Sequence, residues 1–254
     1  MVEGYFIPKK LIFLLVTAFA LRLALSFIGT LELDFNTFRA WSDQLASNGF
    51  AGFYNSWSDY LPGYLYVLWL LAKINSLVPQ IPEVLLYKLP AILADIGTGA
   101  FIYLIVSKFN KRLATAATFV YLFNPAVIFN STLWGQVDSL TALAVVTALF
   151  YAQKNPIISA ALLAVGTLIK PQVAFIAPII GILWFKKYGF TKTFLNVLFS
   201  AAIFIAGFLP FAGTKDIFPF IAERLGVTAN QYPYASVNAF NFWALVGGNW
   251  QPDE

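Results

Sequence analysis

Apolar runs close to the length of a bilayer span recur along almost the whole chain, and charge is confined mostly to the gaps between them. A segment in a hydrocarbon layer has to satisfy its backbone hydrogen bonds internally, so such runs are restricted to helices or to a closed barrel. Of the 254 residues, 59% are hydrophobic and 11% charged, against about 25% charged in a soluble domain. The alternating segments of about ten residues that mark a membrane barrel are absent. The pattern predicts an all-α, polytopic membrane protein.

The candidate spans are about 11–29, 85–107, 113–130, 139–152, 156–170, 172–186 and 192–210, with a further short apolar stretch over 64–78. Basic residues mark the cytoplasmic side of a membrane helix. Lys9 and Lys10, the Lys108–Arg112 connection, Lys154, and Lys186 and Lys187 with Lys192 all fall on one side only if 64–78 does not cross. That arrangement predicts seven crossings, with the N-terminus inside. It also predicts a long first outer loop at about 31–84 and a membrane module over 1–210. The first apolar run follows Lys9-Lys10 without a small-residue cleavage site, so it reads as a retained helix. Residues 211–254 read as a second outer loop, the start of a C-terminal part that continues beyond Glu254. Trp41, Phe50, Phe53, Tyr54, Trp57, Tyr60 and Tyr64 suit helices lying at the headgroup level.

The chain has neither cysteine nor histidine. Thiol and imidazole chemistry are excluded, leaving carboxylates, lysine, arginine, tyrosine and amides. No basic cluster interleaved with exposed aromatics points to nucleic acid. Two carboxylates stand at the expected outer boundary, where desolvation is costly. Asp34 follows the first run, and Asp138 closes Trp134-Gly135-Gln136-Val137-Asp138. Each is explained locally as a helix N-cap. Asp34 is also placed to serve as a base that takes a proton from a hydroxyl, while Asp138 shares one short connection with Asn124 and Gln136, more polar chemistry than a turn requires. The Asp59-Tyr60-Leu61-Pro62-Gly63-Tyr64 stretch reads as a turn, or as the lip of a cleft. Lys170-Pro171-Gln172 and Lys88 put cations on the outer side, against the usual bias, where an anionic phosphate ligand suits them. Arg22 and Asp95, within spans, are expected to form a structural pair.

Taken together, these residues resemble the GT-C superfamily of integral-membrane glycosyltransferases. The likeness is greatest to bacterial and archaeal relatives of the second mannosyltransferase of GPI-anchor synthesis. It is carried by Asp34, Asp59 to Tyr64, Asn124-Pro125-Ala126, Trp134 to Ser139 and Lys170 to Gln172, in that order along nearly the whole chain. Leu61 stands where that pattern often has a first proline. The resemblance implies a module of about seven transmembrane helices with juxtamembrane helices in the first outer loop. It implies transfer of one hexose, mannose by likeness, from a polyprenyl-phosphate sugar to an acceptor on the outer face of the cytoplasmic membrane, with inversion. Asp34 and Asp138 then form the catalytic pair, with Asp34 as general base. Asp59, Tyr60, Lys88, Trp134, Gln136, Lys170 and Gln172 contact substrates. The donor is the lipid-linked sugar; the acceptor is left open among lipid, glycan and protein. No metal is required, although a divalent ion bridging the two aspartates is compatible. A transporter or lipid flippase, or a non-catalytic subunit of a glycosylation complex, are the competing readings; the internal repeat that favours transport is absent.

Overall fold

The computed structural model describes residues 8–237 and 241–252. Among them the chain is helical, with no strand and two isolated bridges near its C-terminal end. The helices are α1 (Lys9–Leu25), α2 (Glu32–Asn48), α3 (Pro62–Leu77), α4 (Glu83–Val106), α5 (Lys111–Leu122), α6 (Pro125–Ile128), α7 (Asp138–Ala152), α8 (Pro156–Ile169), α9 (Ala177–Ala212), α10 (Ile217–Ala229) and α11 (Phe242–Leu245). A π-helical turn, Phe129–Trp134, continues α6.

By length and composition, two helical segments are able to cross a membrane, Glu83–Val106 and Pro171–Ala212. They become three if the pair Lys111–Leu122 and Pro125–Trp134, bent by 45°, is one span. Helices α7 and α8 are apolar but shorter. The seven expected runs are therefore helical, but most fall below full spanning length.

The longest segment is not one rod. Gly189 at φ 77°, ψ 177° breaks α9 into two helices, a backbone state that suits glycine. Contacts with α8 show that the chain reverses there. Val173 packs against Gly166 near the C-terminal end of α8, and the Lys187 ammonium donates to the Gln153 carbonyl just before its N-terminal end. Gly207 then returns to lie on Leu168. The two halves thus match the separate runs 172–186 and 192–210.

The same logic sorts the two ends of the bundle. At one end Leu11, Tyr103 and Ala114 pack together, which joins the start of α1, the end of α4 and the start of α5. Lys108 and Lys154 share the Phe150 ring there. This is the basic end. At the other end Lys88 in α4 reaches the carbonyls of Ser26 and Gly29, which follow α1. Helix α3 belongs wholly to that second end. Its first turn lies on Leu168 and Ile169, and Asn75 in its last turn donates to Glu83 at the start of α4, at 3.1 Å. A helix tied to one end at both termini lies along the bundle end.

The aromatic residues between α2 and α3 differ from the headgroup-facing arrangement expected of them. Trp41, Phe53, Tyr54 and Tyr64 are buried in a cluster completed by Phe211 and Phe220 from α9 and α10. Phe50 and Tyr60 pack half-buried against it, and of these seven rings only Trp57 is exposed. Helices α2, α3 and α10 turn their apolar sides onto the ends of α4, α8 and α9, and ring-on-ring contacts fill the shared core.

Within the bundle the expected charge pair forms. Arg22 Nε donates to Asp95 Oδ2 at 3.1 Å, and both side chains are fully buried. Ser131 Oγ donates to the same carboxylate at 2.6 Å. Breaking one half of a buried pair strands the other charge, at a cost of about 3–5 kcal/mol. Arg22→Met is therefore expected to lower unfolding stability in detergent by about that amount. Adding Asp95→Leu to it should restore most of the loss, and chemical denaturation of the single and double variants measures both.

Candidate functional site

The second end of the bundle gathers the residues singled out from sequence. Asp34 lies in the first turn of α2, but α2 is capped at Leu31 without a side-chain bond, so Asp34 is not its N-cap. Its Oδ2 instead accepts from Trp134 Nε1 at 2.7 Å and from Gln136 Nε2 at 2.5 Å. Both donors come from a segment a hundred residues away. They reach Asp34 because the π-helical turn ends at Gly135, whose φ of 89° turns the chain sharply. The amides of Gly135 and Gln136 both close on the Asn130 carbonyl, at 3.0 and 2.9 Å. Wide π turns are frequent where a chain has to present side chains out of a helix.

Asp138 opens α7 and likewise makes no side-chain cap bond. Its two oxygens are occupied separately: Oδ1 by Lys170 Nζ at 2.5 Å, Oδ2 by Asn130 Nδ2 at 3.0 Å. The Lys170 ammonium also stands 6.0 Å from the centre of the Tyr60 ring. Lys170 is aimed by its backbone, since α8 ends there in an extended residue before Pro171. That end of α8 is seated by Gly63, where an added Cβ would stand 2.5 Å from the Leu168 and Ile169 backbone. The Pro62-Gly63 pair is thus the first turn of α3 rather than a free turn, and its glycine permits close approach.

Asp59 and Tyr60 face the same cluster. Burial raises the Asp59 carboxyl above the ordinary range; its own backbone bond and Lys170 oppose the rise, and Asp34 adds to it. Burial, with the fields of Tyr64, Asp59, Asp138 and Asp34, keeps the Tyr60 phenol neutral well above its usual range. Tyr232, exposed, is raised too, by burial and by the fields of Asp59 and Asp34. Helix α10 joins the site through Thr228 Oγ1, which donates to the Asp59 carbonyl at 2.8 Å.

Two of the anticipated residues stand apart. Lys88 is buried and spends its ammonium on the Ser26 and Gly29 carbonyls; it lies beneath Gly135 and holds the end of α1 in place of facing the cluster. Gln172 is exposed in the short 3-10 turn after Lys170. Asn124 is an N-cap, accepting from the Ala126 amide at 2.8 Å. Asn130, Thr228 and Tyr232 were not anticipated. Asn130 carries the one usable signal, an amide eight residues before Asp138 that opens the polar run Asn130-Ser131-Thr132 between apolar residues.

Two open apolar grooves flank this cluster, of about 640 and 360 Å³. They share Phe129, Leu133 and Trp134; Asn130 lines the larger, and Gly29 and Thr30 the smaller. No group of three or more acidic residues with metal-holding geometry exists among the described residues. Comparison with protein-family models, with curated proteins and with solved structures gives no match.

The raised Asp59 carboxyl predicts a pH-dependent effect. A carboxyl whose folded pKa lies above its unfolded value adds stability below the unfolded pKa and loses it as pH rises through the folded one. Asp59→Asn should therefore raise the melting temperature at pH 7. The gain should shrink as pH falls towards the ordinary carboxylate range, about 4, and thermal melts across pH 4–8 in detergent test it.

Proposed function

We propose that the chain is a membrane glycosyltransferase of the GT-C type, which moves a single hexose from a polyprenyl-phosphate sugar to a hydroxyl acceptor at the outer face of the cytoplasmic membrane. The observation that carries this reading is the state of Asp34. One carboxylate oxygen is held by two neutral donors, while Oδ1 accepts no hydrogen bond among the described residues. A fixed carboxylate with one oxygen available is what a general base requires. The apolar grooves beside it suit a lipid-borne substrate.

In the proposed step Asp34 Oδ1 takes the acceptor hydroxyl proton as that oxygen attacks the anomeric carbon. The carbon–oxygen bond to phosphate breaks, and the polyprenyl phosphate leaves with inverted stereochemistry at the sugar. Lys170 stabilises the charge that gathers on the leaving phosphate. Asp138 acts through Lys170: with both oxygens engaged by Lys170 and Asn130, it serves as a positioning residue. Asp59 and the Tyr60 ring line the sugar side, and Tyr232 covers it. Lys88 is reassigned from substrate contact to the frame. Mannose remains the expected sugar, by resemblance.

Seven crossings complete the proposal. The reversal at Gly189, the grouping of basic connections at one end and the placement of α3 at the other support that count. Cysteines introduced at the exposed positions Asn36 and Lys111 should react with an impermeant thiol reagent from opposite faces. Labelling from one face would overturn the topology.

The activity is tested with membranes carrying the chain, supplied with radiolabelled polyprenyl-phosphate mannose and then polyprenyl-phosphate glucose. Transfer should occur from one donor. Asp34→Asn should reduce it by at least about a hundredfold with the melting temperature retained. Undiminished transfer in that variant sinks the base assignment.

A further inference from the structure

We infer that Trp134 makes the transfer rate depend on the lipid tail of the donor. A tail seated in the groove holds the indole, and through it the base, so tail length governs kcat as well as binding. The inference rests on the transferase reading and adds a control on the same site. Asp34 Oδ2 takes its two bonds from donors in unequal settings. Gln136 lines neither groove. Its other amide atom, Oε1, accepts from the Val137 amide at 3.3 Å, so the protein alone orients that side chain. Trp134 lines both grooves. Its main chain is fixed, because the Gly135 and Gln136 amides close on the Asn130 carbonyl. Its ring has open space on two sides. The ring beside it, Phe129, stands edge-on with centroids 6.2 Å apart, is 55% exposed and lines both grooves as well.

The polar end of the donor selects the groove that its tail enters. Lys170, which meets the leaving phosphate in the proposed step, is bonded to Asp138 Oδ1. Asn130 is bonded to Oδ2 of the same carboxylate and lines the larger groove, of about 640 Å³. The tail therefore runs from the phosphate past Asn130 and lies against Phe129, Leu133 and Trp134. The terminal torsion of an aspartate is broad, so Asp34 keeps its heading only as far as its two donors fix it. A long tail packed on the indole takes away the room in which the ring can turn. Nε1 then stays on Oδ2, and Oδ1 stays aimed at the acceptor. With a short tail the groove holds only mobile bilayer chains, and Gln136 alone restrains the carboxylate. A misplacement of about 1 Å costs roughly a hundredfold in rate. Binding energy from a part of the substrate remote from the reacting atoms is thereby expressed in kcat. Trp134 acts through Asp34 and is a positioning residue.

The test is the steady-state rate in membranes carrying the chain, with geranyl-, geranylgeranyl- and undecaprenyl-phosphate sugars, the sugar being whichever of mannose and glucose is transferred. Between the undecaprenyl and the geranyl donor, kcat should fall at least about tenfold. Trp134→Phe keeps a ring in the groove and removes the N–H donor. In it kcat should be low and equal for the three donors, while KM still rises as the tail shortens. Gln136→Met should lower kcat but keep its dependence on tail length. Trp134→Leu repeats the comparison where Trp134→Phe loses the wild-type melting temperature. A tail series that moves KM alone overturns the inference and leaves the transferase reading standing. So does a kcat dependence that survives the Trp134 variant or vanishes in Gln136→Met. No transfer from any donor overturns both.

Discussion

The Arg22–Asp95 pair sets the register of everything above it. A guanidinium and a carboxylate inside an apolar bundle cannot remain apart, because each alone carries the full penalty of desolvation. Their contact fixes α1 against α4. The carboxylate has capacity for more than one donor, and Ser131 uses it at 2.6 Å. Ser131 belongs to the π-helical turn that ends in Trp134, and three residues later that segment meets Asp34. A charge pair made for burial therefore also anchors the strip of chain that presents Trp134 and Gln136. Lys88 extends the same frame, tying the carbonyls after α1 to α4 directly beneath Gly135.

Charge segregation gives the molecule its polarity. Basic side chains collect where α4 and α7 end, and carboxylates collect where α2 and α7 begin. Acidic residues in a first turn complement the helix dipole, so Glu32 and Asp34 in α2 and Asp138 in α7 sit where the backbone already favours them. The same placement brings Asp34, Asp59 and Asp138 into one field at the end opposite the basic one. The charge of Lys170 offsets part of that field. The remainder is taken up by neutral donors from Trp134, Gln136 and Asn130.

Much of this was legible in the sequence, and the limits have physical causes. Apolar run length and basic connections marked the helices, the reversal near Lys186 and Lys187, and α3 as a helix that stays at one end. Asp34, Asp138 and Lys170 were legible because charge is rare here and its position at a boundary is informative. The environment of Asp34 was not, since Trp134 and Gln136 reach it only through tertiary contact. Lys88 was misread because the first apolar run continues to Ile28, while α1 ends at Leu25 and leaves carbonyls to be satisfied. Pro62-Gly63 has the signature of a turn, yet its glycine answers to the α8 backbone 2.5 Å from where a Cβ would stand. Asn130 was hidden because a helical period assigns it no special face, whereas the extra residue of a π turn rotates it towards Asp138.

If the cluster is the proposed transferase site, its location limits the substrates that it can serve. Trp134 belongs to both surfaces: its indole nitrogen donates to Asp34 and its ring lines both apolar grooves. Any ligand filling a groove is therefore in contact with the group that orients the candidate base. A water-soluble sugar donor would leave those grooves empty and bury no apolar area against Phe129 and Leu133. A donor with an apolar tail fills them, and its polar head then lies beside Asn130 and the Asp138–Lys170 pair. In the proposed reading, the adjacency of open apolar grooves to this polar cluster favours a lipid-linked substrate over a soluble one. It also distinguishes the arrangement from a transport site, where the polar groups are expected near the bilayer midplane. Here the charged groups buried inside the bundle, Arg22 and Asp95, are paired with each other.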